Sequence, residues 1–200
     1  QNQAVRVVWD LRLPRIAAAL LVGAALSTAG AAYQTMFRNP LVSPDILGVS
    51  SGAGLGAILA IYLNFSLFGV QMAAFVGGLL AVGIVLSLAR MLRHHPPILI
   101  LVLAGMAVGT LLGAALSLIK ILADPYSQLP SMTFWLLGGL SAVRSYEVWP
   151  AAMMVLACIV PVWLLRWRIN VLALQDEEAR SLGMPVSALR CLLIVCATLM

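Results

Sequence analysis

Few side chains in this sequence are placed to do covalent chemistry, and each of those few needs a particular setting. Gly48-Val-Ser-Ser-Gly52 matches the G-x-S-x-G pattern, in which a strained strand-to-helix turn presents a serine nucleophile. That reaction needs a strand before the serine and a base within reach. Here the motif opens an apolar run expected to be helical, and the two histidines, His94 and His95, stand beside a different apolar run. Small-residue packing explains the glycines better, with an intramembrane serine hydrolase as the competing reading. His94-His95-Pro96-Pro97 would need further Cys or carboxylate ligands to hold a metal, and none is nearby. Adjacent histidines point apart, and the prolines mark a polar loop. Cys158, Cys191 and Cys196 lie in apolar stretches, where thiols pack as small hydrophobes.

A different kind of chemistry is missing by type. Transporters driven by proton or sodium gradients usually place Asp, Glu or His near the bilayer midplane. None stands in the middle of any apolar run here. If the chain transports, its energy comes from elsewhere.

The elements that must position these residues follow from composition. Of 200 residues, 62% are hydrophobic and 10% charged, and the mean hydropathy is +1.04. Such a chain cannot cover a water-facing surface, so the fold class is all-α: a polytopic transmembrane helix bundle. Twelve Lys+Arg against 7 Asp+Glu make it basic. Without a basic stripe interleaved with aromatics, that charge indicates topology and no nucleic-acid partner.

A bilayer core of about 30 Å needs about 20 helical residues. Five runs meet this length, at about 14–36, 45–63, 70–91, 98–122 and 147–165, and a sixth opens near Leu189. Ser43, Pro44 and Asp45 form the start signal of the second run, and Pro161 is expected to kink the fifth. The stretch 129–140 is apolar but too short to cross, so a short interfacial or re-entrant helix is expected there. The chain opens at Gln1 and stops at Met200 inside the sixth run, so it is expected to be part of a longer protein.

Arg38, Arg90, Arg93, Arg166, Arg168, Arg180 and Arg190 fall on one side of this topology. Arg6, Arg12, Arg15, Lys120 and Arg144 fall on the other. The first group is placed in the cytoplasm. Gly48/Gly52/Gly56 and Gly105/Gly109/Gly113 each recur every four residues, which allows close backbone approach between helices.

The cytoplasmic segment 172–184 is unlike a tight loop. Leu172, Leu174, Ala179 and Leu182 are apolar, whereas Asp176, Glu177, Glu178 and Arg180 are charged. Carboxylates open a short helix and Gly183-Met184-Pro185 closes it. Acidic residues suit an anionic leaflet poorly, so a protein partner fits the segment better than lipid does.

Several motifs then converge. Arg12-Leu-Pro-Arg15, Gly23-Ala-Ala-Leu26, Gly30 with Gln34, Asn39-Pro-Leu41 and Pro44 come first. Leu47-Gly-Val-Ser-Ser-Gly-Ala53, Leu103-Ala-Gly105, Trp135 with Gly138-Gly139, and Leu172-Ala-Leu174…Ala179-Arg180-Ser-Leu-Gly183 complete the series. In this order they resemble the membrane subunits of ABC importers for iron–siderophore, haem and cobalamin, the FecCD type. One departure is Gln175, where the family often has glycine.

The resemblance implies a ten-helix permease, of which residues 1–200 form one transmembrane domain from the second helix to the opening of the seventh. It implies a second permease subunit (a homodimer), two ATP-binding subunits, and a periplasmic or lipid-anchored binding protein, in a bacterial or archaeal inner membrane. ATP and Mg would be bound and hydrolysed on the partner, with no catalysis and no cofactor on this subunit. By the same resemblance Arg12 and Arg15 would dock the binding protein, and 172–184 would be the coupling helix. Ile98, Leu99, Gly105, Gly109 and Gly113 would line the pathway and its inner gate. Asp124-Pro-Tyr-Ser-Gln-Leu-Pro130 resembles iron-chelate and molybdate members. Cargo is expected to be iron–siderophore, with cobalamin, haem or molybdate importers, or a secondary transporter or channel, as alternatives.

Overall fold

The computed structural model describes residues 7–40, 42–91, 97–140, 143 and 145–200. The expectations for Arg6, Leu41, Arg93, His94, His95, Pro96 and Arg144 fall outside these residues. The described residues form helices and no strand. In chain order these are α1 (Leu13–Phe37), α2 (Val49–Tyr62), α3 (Leu67–Met91), α4 (Pro97–Leu122), α5 (Gln128–Leu137), α6 (Ser145–Leu164), α7 (Arg166–Val171), α8 (Asp176–Ser181) and α9 (Val186–Leu199). A wide π-helical segment, Val7–Arg12, leads into α1, and a 3-10 turn, Pro44–Leu47, precedes α2.

Three helical stretches, Val7–Phe37, Leu67–Met91 and Ile98–Leu122, are long and apolar enough to cross a membrane. Twenty-five residues, the length of α1 and of α3, reach about 37 Å. Large apolar side chains such as Leu20, Leu80 and Leu111 point outward from all three, the arrangement of a helical membrane bundle that meets lipid or further helices.

The expected second span is shorter than its hydropathy promised. Its continuous helix is Val49–Tyr62, 14 residues, or about 21 Å. The physical reason is Gly48, which sits at φ 72° in the left-handed region and separates the 3-10 turn from α2. Asp45 still serves the helix start, because its Oδ1 accepts the Ser50 N–H at 3.1 Å. Pro150 and Pro161 both lie inside α6, which ends three residues after Pro161. The sixth run opens at Val186.

The chain divides into two compact units, Pro44–Gly138 and Gln1–Ser43 together with Gly139–Met200. In the first, α2 and α3 approach backbone to backbone. A Cβ built on Gly52 would meet the Gly77 carbonyl oxygen at 2.5 Å, one on Gly77 would strike the Gly52 carbonyl, and one on Gly56 would strike that of Ala73. This is the small-residue contact that the glycine spacing on α2 predicts. Helix α5 is the short helix expected in 129–140. It buries Met132 against Ile58 and Ala123, and Gln128 Nε2 donates to the Tyr62 carbonyl at 3.0 Å, closing the end of α2. Asp124 orders the turn before α5, its Oδ2 accepting the Ser127 N–H at 2.8 Å. The Ser127 hydroxyl bond is the main cause holding the Asp124 carboxyl below its usual range, with the Ser127 N–H next.

In the second unit α1 packs on α6 and α9. The serine and threonine hydroxyls inside the apolar α1 donate to the preceding turn, Ser27 to Gly23, Thr28 to Ala24 and Thr35 to Ala31, so these three are not left bare in an apolar surround. The core contains Ala32, Cys158, Val162, Ile169, Leu172, Ala179, Leu189, Leu193 and Cys196. Cys158, Cys191 and Cys196 are free thiols.

Candidate functional site

The segment 166–190 of the second unit brings several charged side chains together. Helix α6 ends at Leu164, and Arg166 folds back over the preceding turn. Its guanidinium lies 4.5 Å from the centre of the Trp163 ring and 5.9 Å from that of Trp167, within cation–π range. Helix α7 ends at Val171, and after residues 172–175 the chain enters α8.

Helix α8 has the start and stop that its sequence promises, although it spans only Asp176–Ser181. At the start, Glu178 reaches back so that its Oε2 accepts the Gln175 N–H at 3.2 Å, one half of a capping box. Gln175, the departure from the family pattern, is therefore accommodated at φ −64°, where no glycine is required. At the stop, Gly183 takes φ 76°. Its N–H donates to Arg180 and that of Met184 to Ala179, at 2.9 and 3.2 Å, which is a Schellman closure.

The faces of this segment differ from the sequence expectation. Leu172 and Ala179 are each 1% exposed and belong to the chain's own core, so neither is available to fill a partner's groove. A short amphipathic helix needs a cover for its apolar side, and here the core of the same unit, α9 included, supplies it. Leu174, Glu177, Glu178, Arg180 and Leu182 remain on the outside.

Asp176 is likewise turned to the chain itself. Its carboxylate receives Arg190 at both oxygens, Nη1 to Oδ2 and Nη2 to Oδ1, each at 2.7 Å. Arg38 adds a third contact, Nη2 to Oδ1 at 2.6 Å. Arg38 stands immediately after α1 at φ 52°, ψ 35°, a left-handed conformation costing a non-glycine residue about 1–2 kcal/mol. Its N–H donates to Thr35 at 3.2 Å and that of Asn39 to Gln34 at 3.1 Å, so the closure of α1 aims the Arg38 side chain at α8. The Asp176 carboxyl is held below its usual range, chiefly by the Arg190 hydrogen bonds. Burial opposes this, and the charges of Arg190 and Arg38 add to it.

Elsewhere the expected site residues are spread out. Arg12 ends the π-helical segment and Arg15 lies in the first turn of α1, both exposed. At the start of α4, Ile98 is half-buried and Leu99 exposed. The α4 glycines separate into two environments. A Cβ on Gly105 would strike the Ile46 carbonyl, and one on Gly109 would lie 3.5 Å from the Gly48 Cα, whereas Gly113 faces open space. Sequence reasoning did not single out Gly77 and Ala73, whose small-xxx-small spacing on α3 was available. It also counted Arg38 and Arg190 only as topology signals.

A family model described as the FecCD transport family matches residues 1–200. The chain belongs to the FecCD transport family. Among curated FecCD relatives, a probable iron chelatin transport system permease protein of Helicobacter pylori is 42% identical over 193 residues, covering 96% of this chain and 57% of its own. The molybdate import system permease protein MolB of Haemophilus influenzae is 36% identical, covering 94% of this chain and 56% of its own. The vitamin B12 import system permease protein BtuC of Salmonella paratyphi A is 38% identical, covering 94% and 57%. This chain therefore spans little more than half the length of these relatives. A solved structure, described as an inward-facing conformation of a metal-chelate type ABC transporter, matches all of this chain and 63% of its own. Its TM-score is 0.94 at 35% identity.

Proposed function

We propose that this chain is part of the membrane permease subunit of an ATP-driven importer, and that its cargo is a metal chelate, foremost an iron–siderophore complex. The observation that carries the reading is the 166–190 segment. It presents a capped short helix that is anchored internally on one side and offers Leu174, Glu177, Arg180 and Leu182 on the other. An anchored helix with an exposed outer face suits a device that receives motion from a protein partner, here the ATP-binding subunit. The absence of midplane carboxylates from the apolar runs agrees, because hydrolysis on a partner would supply the energy. The permease itself does no covalent chemistry, and ATP with Mg belongs to that partner.

In this reading the segment faces the cytoplasm of a bacterium or archaeon, and a second permease subunit completes the pathway. Arg12 and Arg15 meet acidic residues on a periplasmic or lipid-anchored binding protein, where arginine's bidentate fork suits carboxylates. Ile98 and Leu99 stand near an apolar gate that closes by excluding water. The iron assignment is supported by the 42% identity to the iron chelatin permease and by the Asp124–Pro130 motif. The relatives for molybdate and vitamin B12, at 36% and 38%, support a second cargo class.

The test is reconstitution of the full-length permease with its ATPase and binding protein in liposomes without an ion gradient. ATP-dependent uptake of a ferric siderophore, in preference to cobalamin, haem and molybdate, is the expected result. Uptake that follows a proton or sodium gradient and ignores ATP would overturn the importer reading.

A further inference from the structure

The clamp around Asp176 joins three elements that are far apart in sequence. Arg38 follows α1, Asp176 opens α8, and Arg190 lies in the second turn of α9. Arg190 is only 9% exposed, and its Nε is buried with no hydrogen-bond partner among the described residues. Its charge is therefore held in place almost wholly by the Asp176 carboxylate. A buried guanidinium that loses its acceptor is strongly penalised, so it does not readily let go. Arg38 makes the other half of the bridge from a strained left-handed backbone, and such strain persists only where the surroundings hold it.

Covalent connectivity already ties α8 to α9 through Leu182–Pro185, but nothing in the chain path ties α8 to α1. The Arg38–Asp176 contact spans 138 residues. We propose that Asp176 is a positioning residue that makes α8 move as one body with the end of α1 and the start of α9. A push on α8 then reaches two membrane helices instead of one. The energetic role assigned to that push rests on the importer reading above, whereas the one-body geometry does not.

The experiment uses the full-length permease in lipid, with spin labels at Ala31→Cys on α1 and Ser181→Cys on α8, both exposed positions, on a background without the native thiols. The unsubstituted clamp should give a narrow distance distribution, unchanged when the ATPase and a non-hydrolysable ATP analogue are added. Asp176→Asn should broaden it, Asp176→Glu should narrow it again, and Arg38→Gln, at an exposed position less apt to misfold, should broaden it partly. In reconstituted complexes, ATP hydrolysed per ferric siderophore imported should rise on the order of 2- to 30-fold in Asp176→Asn and recover in Asp176→Glu. An equally narrow distribution in Asp176→Asn and Arg38→Gln would overturn the proposal. So would a broadened distribution with an unchanged hydrolysis-to-uptake ratio in a system that imports. A clamp that behaves as described in a permease that binds no ATPase would overturn the importer reading and leave the one-body geometry standing.

Discussion

Arg190 grips both oxygens of Asp176 at 2.7 Å from a side chain that is itself buried in the core of its unit. The pair fixes α8 at its first residue, where the positive end of a helix also favours a carboxylate. Because the Arg190 bonds depress the Asp176 pKa, the sign of the pH dependence follows. A carboxyl held below its unfolded value of about 3.9 contributes its stability in full above about pH 5, and loses it as pH falls through the unfolded and then the lower folded pKa. Hydrogen exchange across residues 172–190, corrected for intrinsic rates, should show constant protection from neutral pH down to about 5 and falling protection below about 4. Asp176→Asn should show reduced protection at neutral pH and no further step there.

Gly77 and Gly52 make a second contact that a single atom can test. A Cβ on Gly77 would strike the Gly52 carbonyl. Gly77→Ala should therefore lower stability by about 1–3 kcal/mol, the cost of overpacking a closed contact. Gly83 lies on the same helix with nothing within 4 Å of a built Cβ. Gly83→Ala should be neutral or stabilising by up to about 1 kcal/mol, since alanine is the better helix former. Unfolding midpoints of the full-length protein in detergent and urea would separate the two.

How much of this was legible in the sequence depended on the range over which each residue acts. The 26-residue α4 announces itself through hydropathy, and the stop at Gly183 through local turn chemistry. The second span was read too long because hydropathy does not register that Gly48 leaves the helix for φ 72°. Leu172 and Ala179 were read correctly as apolar but given to a partner. Amphipathic spacing says that a face must be covered without saying by what. Arg38 carries no local sign of Asp176, which lies 138 residues away, and a cation count assigns every arginine the same role.

Arg12 and Arg15 stand exposed at the opening of the first long helix. If they meet carboxylates on a binding protein, reversing both charges with Arg12→Glu and Arg15→Glu should weaken docking. The effect should fall first on the association rate and shrink as salt shortens the Debye length from about 10 Å at 0.1 M to about 3 Å at 1 M. Surface plasmon resonance at two salt concentrations measures both effects. Unchanged docking at low salt would return the arginines to interfacial anchoring.

The outer face of α8 gives the sharpest separation between partner contact and internal packing. Leu182 is 63% exposed, while Ala179, three residues earlier, is 1% exposed. Ala179→Trp would drive an indole into the core formed by Leu172, Leu189 and Leu193. It should cost about 1–3 kcal/mol or more of stability, and any loss of partner binding would follow from that. Leu182→Arg places a charge where water already reaches and should leave the unfolding midpoint within about 0.5 kcal/mol of the parent. If Leu182 is an apolar anchor of the ATPase contact, the same variant should weaken ATPase binding on the order of 10-fold, a loss of about 1.4 kcal/mol. Co-purification of the ATPase with each variant, read beside its unfolding midpoint, separates the two effects. Normal ATPase retention by a well-folded Leu182→Arg permease would move the partner contact away from this face of α8.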